Sequence, residues 1–138
     1  MPRMVLLLHE LADGSAHFDW MIERARSAAG QKSSVRPDER ILATWRVFVR
    51  IDDSACREFD AEALDDHRRA YLDFEGELDA GRGRVTRVAL GEAEITSDSP
   101  RRVDIIGRFA RDRTARSWIG VPSGTPGRWR FTVSARPD

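Results

Sequence analysis

Apolar residues in this chain come mostly in short runs or alternate with polar ones, the spacing of strands rather than of helices. Residues 4–9 (MVLLLH) form a short apolar run and residues 17–23 (HFDWMIE) alternate. The loop between them contains Asp13-Gly14, a tight-turn dipeptide, so the pair reads as a β-hairpin. Residues 41–51 (ILATWRVFVRI) alternate throughout, with Ile41, Ala43, Trp45, Val47, Val49 and Ile51 on one face and Thr44, Arg46 and Arg50 on the other. Further strands are expected at GRVTRVAL (83–90), RRVDIIGRFA (101–110), SWIGV (117–121) and RWRFTVSA (128–135), with ALGEAEIT (89–96) adding another after Gly91. Asp-Ser-Pro, Arg-Asp-Arg and Ser-Gly-Thr-Pro-Gly clusters supply the turns.

Two segments break this pattern. Residues 24–40 (RARSAAGQKSSVRPDER) are polar and without sustained period, which predicts a long surface loop. Residues 54–66 (SACREFDAEALDD) are the best helical candidate, with Ser54 or Asp60 as N-cap. Many closely spaced strands with little helix predict a mainly β protein, an antiparallel barrel or sandwich with one or two short helices, in a single domain over residues 1–138.

Charge changes the picture only locally. Lys+Arg 23 against Asp+Glu 23 gives no net charge, so no long-range field draws the whole surface to nucleic acid or to an acidic membrane. Lys32 is the only lysine, and the arginines that make up the remaining cations suit phosphate oxygens through their planar fork. Cys56 stands alone, which excludes an intramolecular disulfide and a cysteine-rich zinc site. With an N-terminal apolar run too short for a signal peptide or a membrane span, the expectation is a cytoplasmic protein without membrane attachment.

The chemistry concentrates around the three histidines. On a strand, His17, Asp19 and Met21 share one face and Phe18, Trp20 and Ile22 the other. If the aromatic side faces a core, His17 and Asp19 face a cleft or barrel mouth roughly 7 Å apart at Cα, close enough to reach one ion. His9 joins them only in some registers. A two-residue turn at Asp13-Gly14 pairs His9 with Phe18 and sends it to the wrong face, whereas a three-residue loop pairs it with Asp19 and gathers all three groups. A metal site therefore requires an odd-length loop or a bulge. Two imidazoles and a carboxylate suit Mn²⁺, Zn²⁺, Fe²⁺ or Co²⁺ with positions left for water or a substrate oxygen. The alternative is a hydrogen-bonded structural or surface pair. His67 and Tyr71, four apart, share a face on a helical turn and can donate to a phosphate oxygen or protonate a leaving group, or else serve as a turn residue and a core aromatic. Gly76, Gly81 and Gly83 mark turns, with Arg82 and Arg84 as phosphate contacts or a solvated edge.

These segments resemble a family, the 3′-phosphoesterase module found at the N-terminus of bacterial DNA ligase D and as a stand-alone relative. Its first signature, a strand ending in His, a short loop and His-Tyr-Asp-Phe-Arg-Leu-Glu, is similar to LLLHELADGSAHFDWMIE. Its Trp-containing strand matches ATWRV, and its Asp-His-Pro-x-x-Tyr-x-x-Phe-Glu-Gly matches DHRRAYLDFEG, residues 66–76. A Gly-rich turn and strand follow as AGRGRVTRV, and the closing strands resemble IIGRFARDRTARSWIGV. The resemblance implies a small β-barrel that uses Mn²⁺ or a similar ion, Zn²⁺ or Co²⁺ included, to remove 3′-phosphates and 3′-ribonucleotides from DNA ends. It implies His9, His17 and Asp19 as metal ligands, with His67 and Tyr71 on the scissile phosphate; Glu23 matches a family glutamate without an assigned role. Partners implied are nucleic-acid 3′ ends and a DNA ligase or polymerase, with the chain a monomer. The family's arginine after the metal aspartate is Met21 here, its strand lysine falls on Val49, and an upstream arginine has only Arg57 nearby. Arg46, Arg50, Arg82 and Arg84 are the candidates to hold phosphate instead.

Two other readings stand beside this one. In one, the barrel keeps the ion but only binds nucleic-acid ends. In the other, the histidines are structural and exposed tryptophans among Trp20, Trp45, Trp118 and Trp129 mark an interaction surface.

Overall fold

The computed structural model describes residues 1–25 and 36–135; residues 26–35, the centre of the expected polar loop, lie outside the described residues. Nine strands follow in order: β1 (Arg3–Glu10), β2 (Ala16–Glu23), β3 (Arg40–Val47), β4 (Glu58–Arg68), β5 (Gly76–Glu77), β6 (Arg84–Ser99), β7 (Arg102–Phe109), β8 (Arg116–Pro122) and β9 (Arg128–Ala135). Two 3-10 turns, Arg69–Leu72 and Asp79–Gly81, are the only helical pieces among the described residues. The sheet runs β1-β2-β3-β4-β9-β8-β7-β6-β5, every pair antiparallel, and a further pairing of β1 with β6 closes the ring. The mainly β, barrel-like architecture expected from the alternating pattern is thus the one observed. No helix among the described residues is long and apolar enough to cross a membrane.

The ring encloses an aromatic core. Trp20 and Ile22 enter it from β2, Ala43, Trp45 and Val47 from β3, Phe59 and Ala61 from β4, and Trp118 and Phe131 from β8 and β9. Trp20 is at the centre, its ring 5.3 to 5.8 Å from those of Trp45, Phe59, Trp118 and Phe131, spacings at which aromatic pairs attract beyond their buried area. Three of the four tryptophans are therefore buried, and Trp129 packs against the same cluster. The exposed-tryptophan surface of the interaction reading is absent.

The apolar run of β1 does not alternate because both of its faces are covered. Met4 and Leu6 point into the ring, while Val5 and Leu7 lie on its outside with Met21, Leu42 and the β6 residue Val85, beneath Leu72 and Leu78. The segment from the Arg69–Leu72 turn to the start of β6 thus folds back over the outer face of β1 to β3. Glu23 helps anchor it: its carboxylate accepts from Arg69 Nε at 3.2 Å, and Glu39 and Pro37 carbonyls accept the Arg69 and Ala70 amides.

Three local expectations are corrected. The expected helix at residues 54–66 is instead a loop followed by β4, since Phe59 and Ala61 alternate into the core and pair with both β3 and β9. The strand expected over residues 41–51 ends at Val47, leaving Phe48 and Val49 half-exposed while Ile51 returns to the core. GRVTRVAL and ALGEAEIT are one continuous strand, β6, which passes from β1 to β7 near Gly91. A Cβ at Gly91 would stand 2.2 Å from the Arg108 carbonyl oxygen, so glycine there admits the neighbouring backbone instead of ending the strand.

Candidate metal centre

The register of the first hairpin decides which side chains meet. Leu11 and Ser15 close a five-residue loop, Leu11 N–H donating to the Ser15 carbonyl at 2.8 Å, and Asp13 accepts from both the Ser15 amide and hydroxyl. An odd loop length puts His9 directly opposite His17, with Asp19 opposite Leu7. The pairing of His9 with Asp19 is therefore corrected, but parity is what matters: His9, His17 and Asp19 share one face. That face is the outside of the ring, not its mouth, because the alternate residues Phe18 and Trp20 pack toward the interior.

One ligand atom from each of the three residues lies within 4.8 Å of the others. His17 and Asp19 are only 6% and 5% exposed. His9 Nε2 is 2.8 Å from the Arg82 carbonyl oxygen; a carbonyl only accepts, so Nε2 carries a proton there, and the ring turns its Nδ1 toward Asp19 Oδ2, 3.5 Å away. His17 Nε2 stands 3.3 Å from Asp19 Oδ1, and both atoms are buried with no hydrogen-bond partner. Leaving such groups unpaired costs about 1 to 3 kcal/mol each. A divalent cation satisfies them together, since it takes a lone pair from each imidazole and from the carboxylate, and an imidazole ligand whose other nitrogen donates to a backbone carbonyl is the usual supporting arrangement. The donor set thus fits a borderline ion such as Mn²⁺, Zn²⁺ or Co²⁺.

The Arg82 carbonyl is positioned by its neighbour Gly83. Gly83 has φ +98°, and a Cβ there would meet the Glu10 carbonyl oxygen at 2.0 Å. Gly83→Ala is expected to lower stability by about 2 kcal/mol and, by shifting the acceptor of His9, to weaken Mn²⁺ binding about tenfold. Thermal unfolding and a Mn²⁺ titration on the same preparation check both effects.

Beside the three side chains lies a cavity of about 180 Å³ to which His9, Asp19 and Met21 contribute from β1 and β2, His67 from β4 and Tyr71 from the covering segment. His67 and Tyr71 do not share a helix as expected: His67 lies near the end of β4 and Tyr71 sits on the 3-10 turn. Their rings nevertheless meet edge to face at 5.8 Å. His67 Nδ1 donates to the Asp65 carbonyl at 2.8 Å, which fixes the ring and leaves Nε2 as the atom available to a ligand.

Of the four expected phosphate-binding arginines, Arg46 and Arg82 line the cavity; Arg50 and Arg84 do not. Arg46 is the cross-strand partner of Asp19 and makes a 3.5 Å contact with Glu62. Arg50 lies on the loop beyond β3 and is committed to Asp52 through two bonds of 2.8 and 2.7 Å. Burial pushes the Asp52 carboxyl up, but the Arg50 contact more than reverses this and holds it below the usual carboxylate range. Arg84 is exposed on β6 beside Glu10 and Glu77, pulled away from the cavity by the register.

Arg40 and Arg68, not singled out from the sequence, also line the cavity, and they are cross-strand partners of each other. Among the described residues, neither is ion-paired, and Arg68 instead lies over the Tyr71 ring, 5.6 Å from its centroid. Counting back by twos from Arg46 along β3 reaches Arg40 on the same face, the signal that identifies it. A wider groove of about 650 Å³ along Leu90, Ile106 and Phe109 involves none of the histidines.

Compared with protein-family models and with curated proteins, the chain has no match in either.

Proposed function

We propose that this chain is a divalent-metal-dependent phosphoesterase that removes 3′-phosphates or 3′-ribonucleotides from nucleic-acid ends in DNA repair, with Mn²⁺ the favoured ion and Zn²⁺ or Co²⁺ as substitutes. The observation that carries this reading is the pair of buried, unbonded atoms, His17 Nε2 and Asp19 Oδ1, facing each other beside His9. A cavity with four arginines, an imidazole and a phenol next to a cation-binding triad is suited to an oxyanion ester. The resemblance to the phosphoesterase module of DNA ligase D supplies the choice of nucleic-acid ends, of a ligase or polymerase as partner, and of a cytoplasmic monomer.

In this mechanism His9, His17 and Asp19 hold the ion. A bound ion would supply Lewis acidity toward a phosphoryl oxygen and toward water. Arg46 and Arg82, joined by Arg40 and Arg68, take the remaining phosphoryl oxygens and offset the charge that develops on them. His67, oriented by the Asp65 carbonyl, presents Nε2 to the phosphate and, when protonated, delivers its proton to the departing oxygen; the Tyr71 hydroxyl is a second donor.

Incubating the purified protein with Mn²⁺ and a primer-template ending in a 3′-phosphate or 3′-ribonucleotide should give a 3′-hydroxyl end. His67→Ala should slow the conversion by about 100-fold or more. Absence of conversion in the parent contradicts the catalytic reading.

Met21 favours a second reading. It is buried in the cavity wall where the resembled family has an arginine, so one phosphate clamp is replaced by an apolar side chain. A module that holds the ion and a nucleic-acid end without turnover would show salt-sensitive DNA binding and no conversion. Turnover lost in His67→Ala excludes it.

A further inference from the structure

Next to the metal-centre cavity lies a second one, of about 200 Å³, and the two share Arg68, Tyr71, Leu78 and Arg82 as a common wall. Their far walls differ in chemistry. The first gathers arginines around the metal ligands. The second is lined by Phe74, Glu77 and Asp79. Phe74 is 38% exposed, and its ring meets that of Tyr71 at 6.1 Å and 89°, so the two aromatics form a corner. Neither Glu77 nor Asp79 is ion-paired among the described residues.

From this contrast we infer that the second cavity receives the nucleoside attached to the phosphate held beside the metal centre. Two carboxylates repel a second phosphate, yet they accept hydrogen bonds from ring N–H, amino or hydroxyl groups. An aromatic corner offers a π-face on which any base can stack. Arg68 and Arg82, standing between the cavities, fit the point where a phosphate joins its sugar. An uncharged, planar, donor-bearing group next to an anion describes a nucleoside phosphoester, and a small phosphoester without a base leaves Phe74 uncovered. The inference rests on the phosphoesterase reading and adds the part of the substrate that the chain selects.

The test compares two slowly hydrolysed monoesters matched in their thiophosphate group, thymidine 3′-thiophosphate and methyl thiophosphate, by calorimetric titration of the Mn²⁺-supplemented protein. Thymidine 3′-thiophosphate should bind about 5- to 150-fold more tightly, the worth of one base–aromatic stack. Phe74→Ala should remove most of that preference and Phe74→Tyr should retain it, with unfolding temperatures confirming that both variants are folded. Equal affinity for the two esters in the parent, or a preference that survives Phe74→Ala, overturns the nucleoside pocket while leaving the phosphate site standing. If the parent binds neither Mn²⁺ nor either ester, the phosphoesterase reading fails and this inference falls with it.

Discussion

Replacing His17 with alanine should lower Mn²⁺ affinity by at least about 100-fold, more than the loss of an outer supporting group produces. The same substitution should leave the metal-free protein nearly as stable as the parent. In the parent, His17 Nε2 and Asp19 Oδ1 face each other at 3.3 Å, buried and without a hydrogen-bond partner, so the metal-free site already carries their desolvation cost, and removing the imidazole relieves part of it. Metal reverses the comparison. At a Mn²⁺ concentration about 100 times Kd, linkage adds about 2.7 kcal/mol to the parent, roughly 5 to 15 °C in Tm for a domain of this size, and almost nothing to His17→Ala. A histidine kept for structure would behave oppositely, with a large loss in the absence of metal and no dependence on it. Thermal unfolding of both proteins, with Mn²⁺ and with chelator, distinguishes the two.

Arg116→Ala should destabilise the fold by about 3 to 5 kcal/mol, the range for breaking a buried ion pair from one side. Arg116 and Asp112 have side chains only 8% and 13% exposed, and they join through Nε and Nη2 at 2.8 Å each. The same guanidinium donates to the Ile51 carbonyl at 3.0 Å and the Asp52 carbonyl at 2.8 Å, and so pins the loop between β3 and β4 onto the end of the core. Alanine leaves the Asp112 carboxylate without its counter-ion, held only by the Phe109 amide, and two carbonyls without donors. Replacing both partners, as Arg116→Met with Asp112→Leu, should recover part of the loss, because no buried charge remains uncompensated. Urea unfolding midpoints of the single and double variants measure this, provided the m-value is unchanged.

How much of this could be read in the sequence depends on whether neighbours in sequence or partners in space set the outcome. The barrel was legible because Trp20, Trp45, Trp118 and Phe131 lie on strands whose alternation has one face to bury. β4 was not, because Ala61, Glu62, Ala63 and Leu64 carry high helix propensity and only pairing with β3 and β9 makes them a strand. The convergence of His9, His17 and Asp19 was legible down to the parity of the loop, while the loop length itself was set by the hydrogen bonds of Asp13 and the Leu11–Ser15 closure. Locating the three side chains on the outer face was beyond the local pattern, since the cover comes from Leu72 and Leu78, more than 50 residues away from Asp19. The non-alternating run of β1 was the available clue. Alternation does not locate Arg50, because the chain leaves the sheet after Val47, nor Arg40, because β3 begins inside a polar stretch that carries no period.

Diffraction from crystals soaked in Mn²⁺, recorded near the manganese absorption edge, addresses the metal centre most directly. The expected result is an anomalous peak bonded to His9 Nδ1, His17 Nε2 and a carboxylate oxygen of Asp19, with the His9 Nε2 to Arg82 carbonyl contact preserved. A His17 ring turned to bond a protein acceptor, with no peak within coordinating distance of the three side chains, would contradict it.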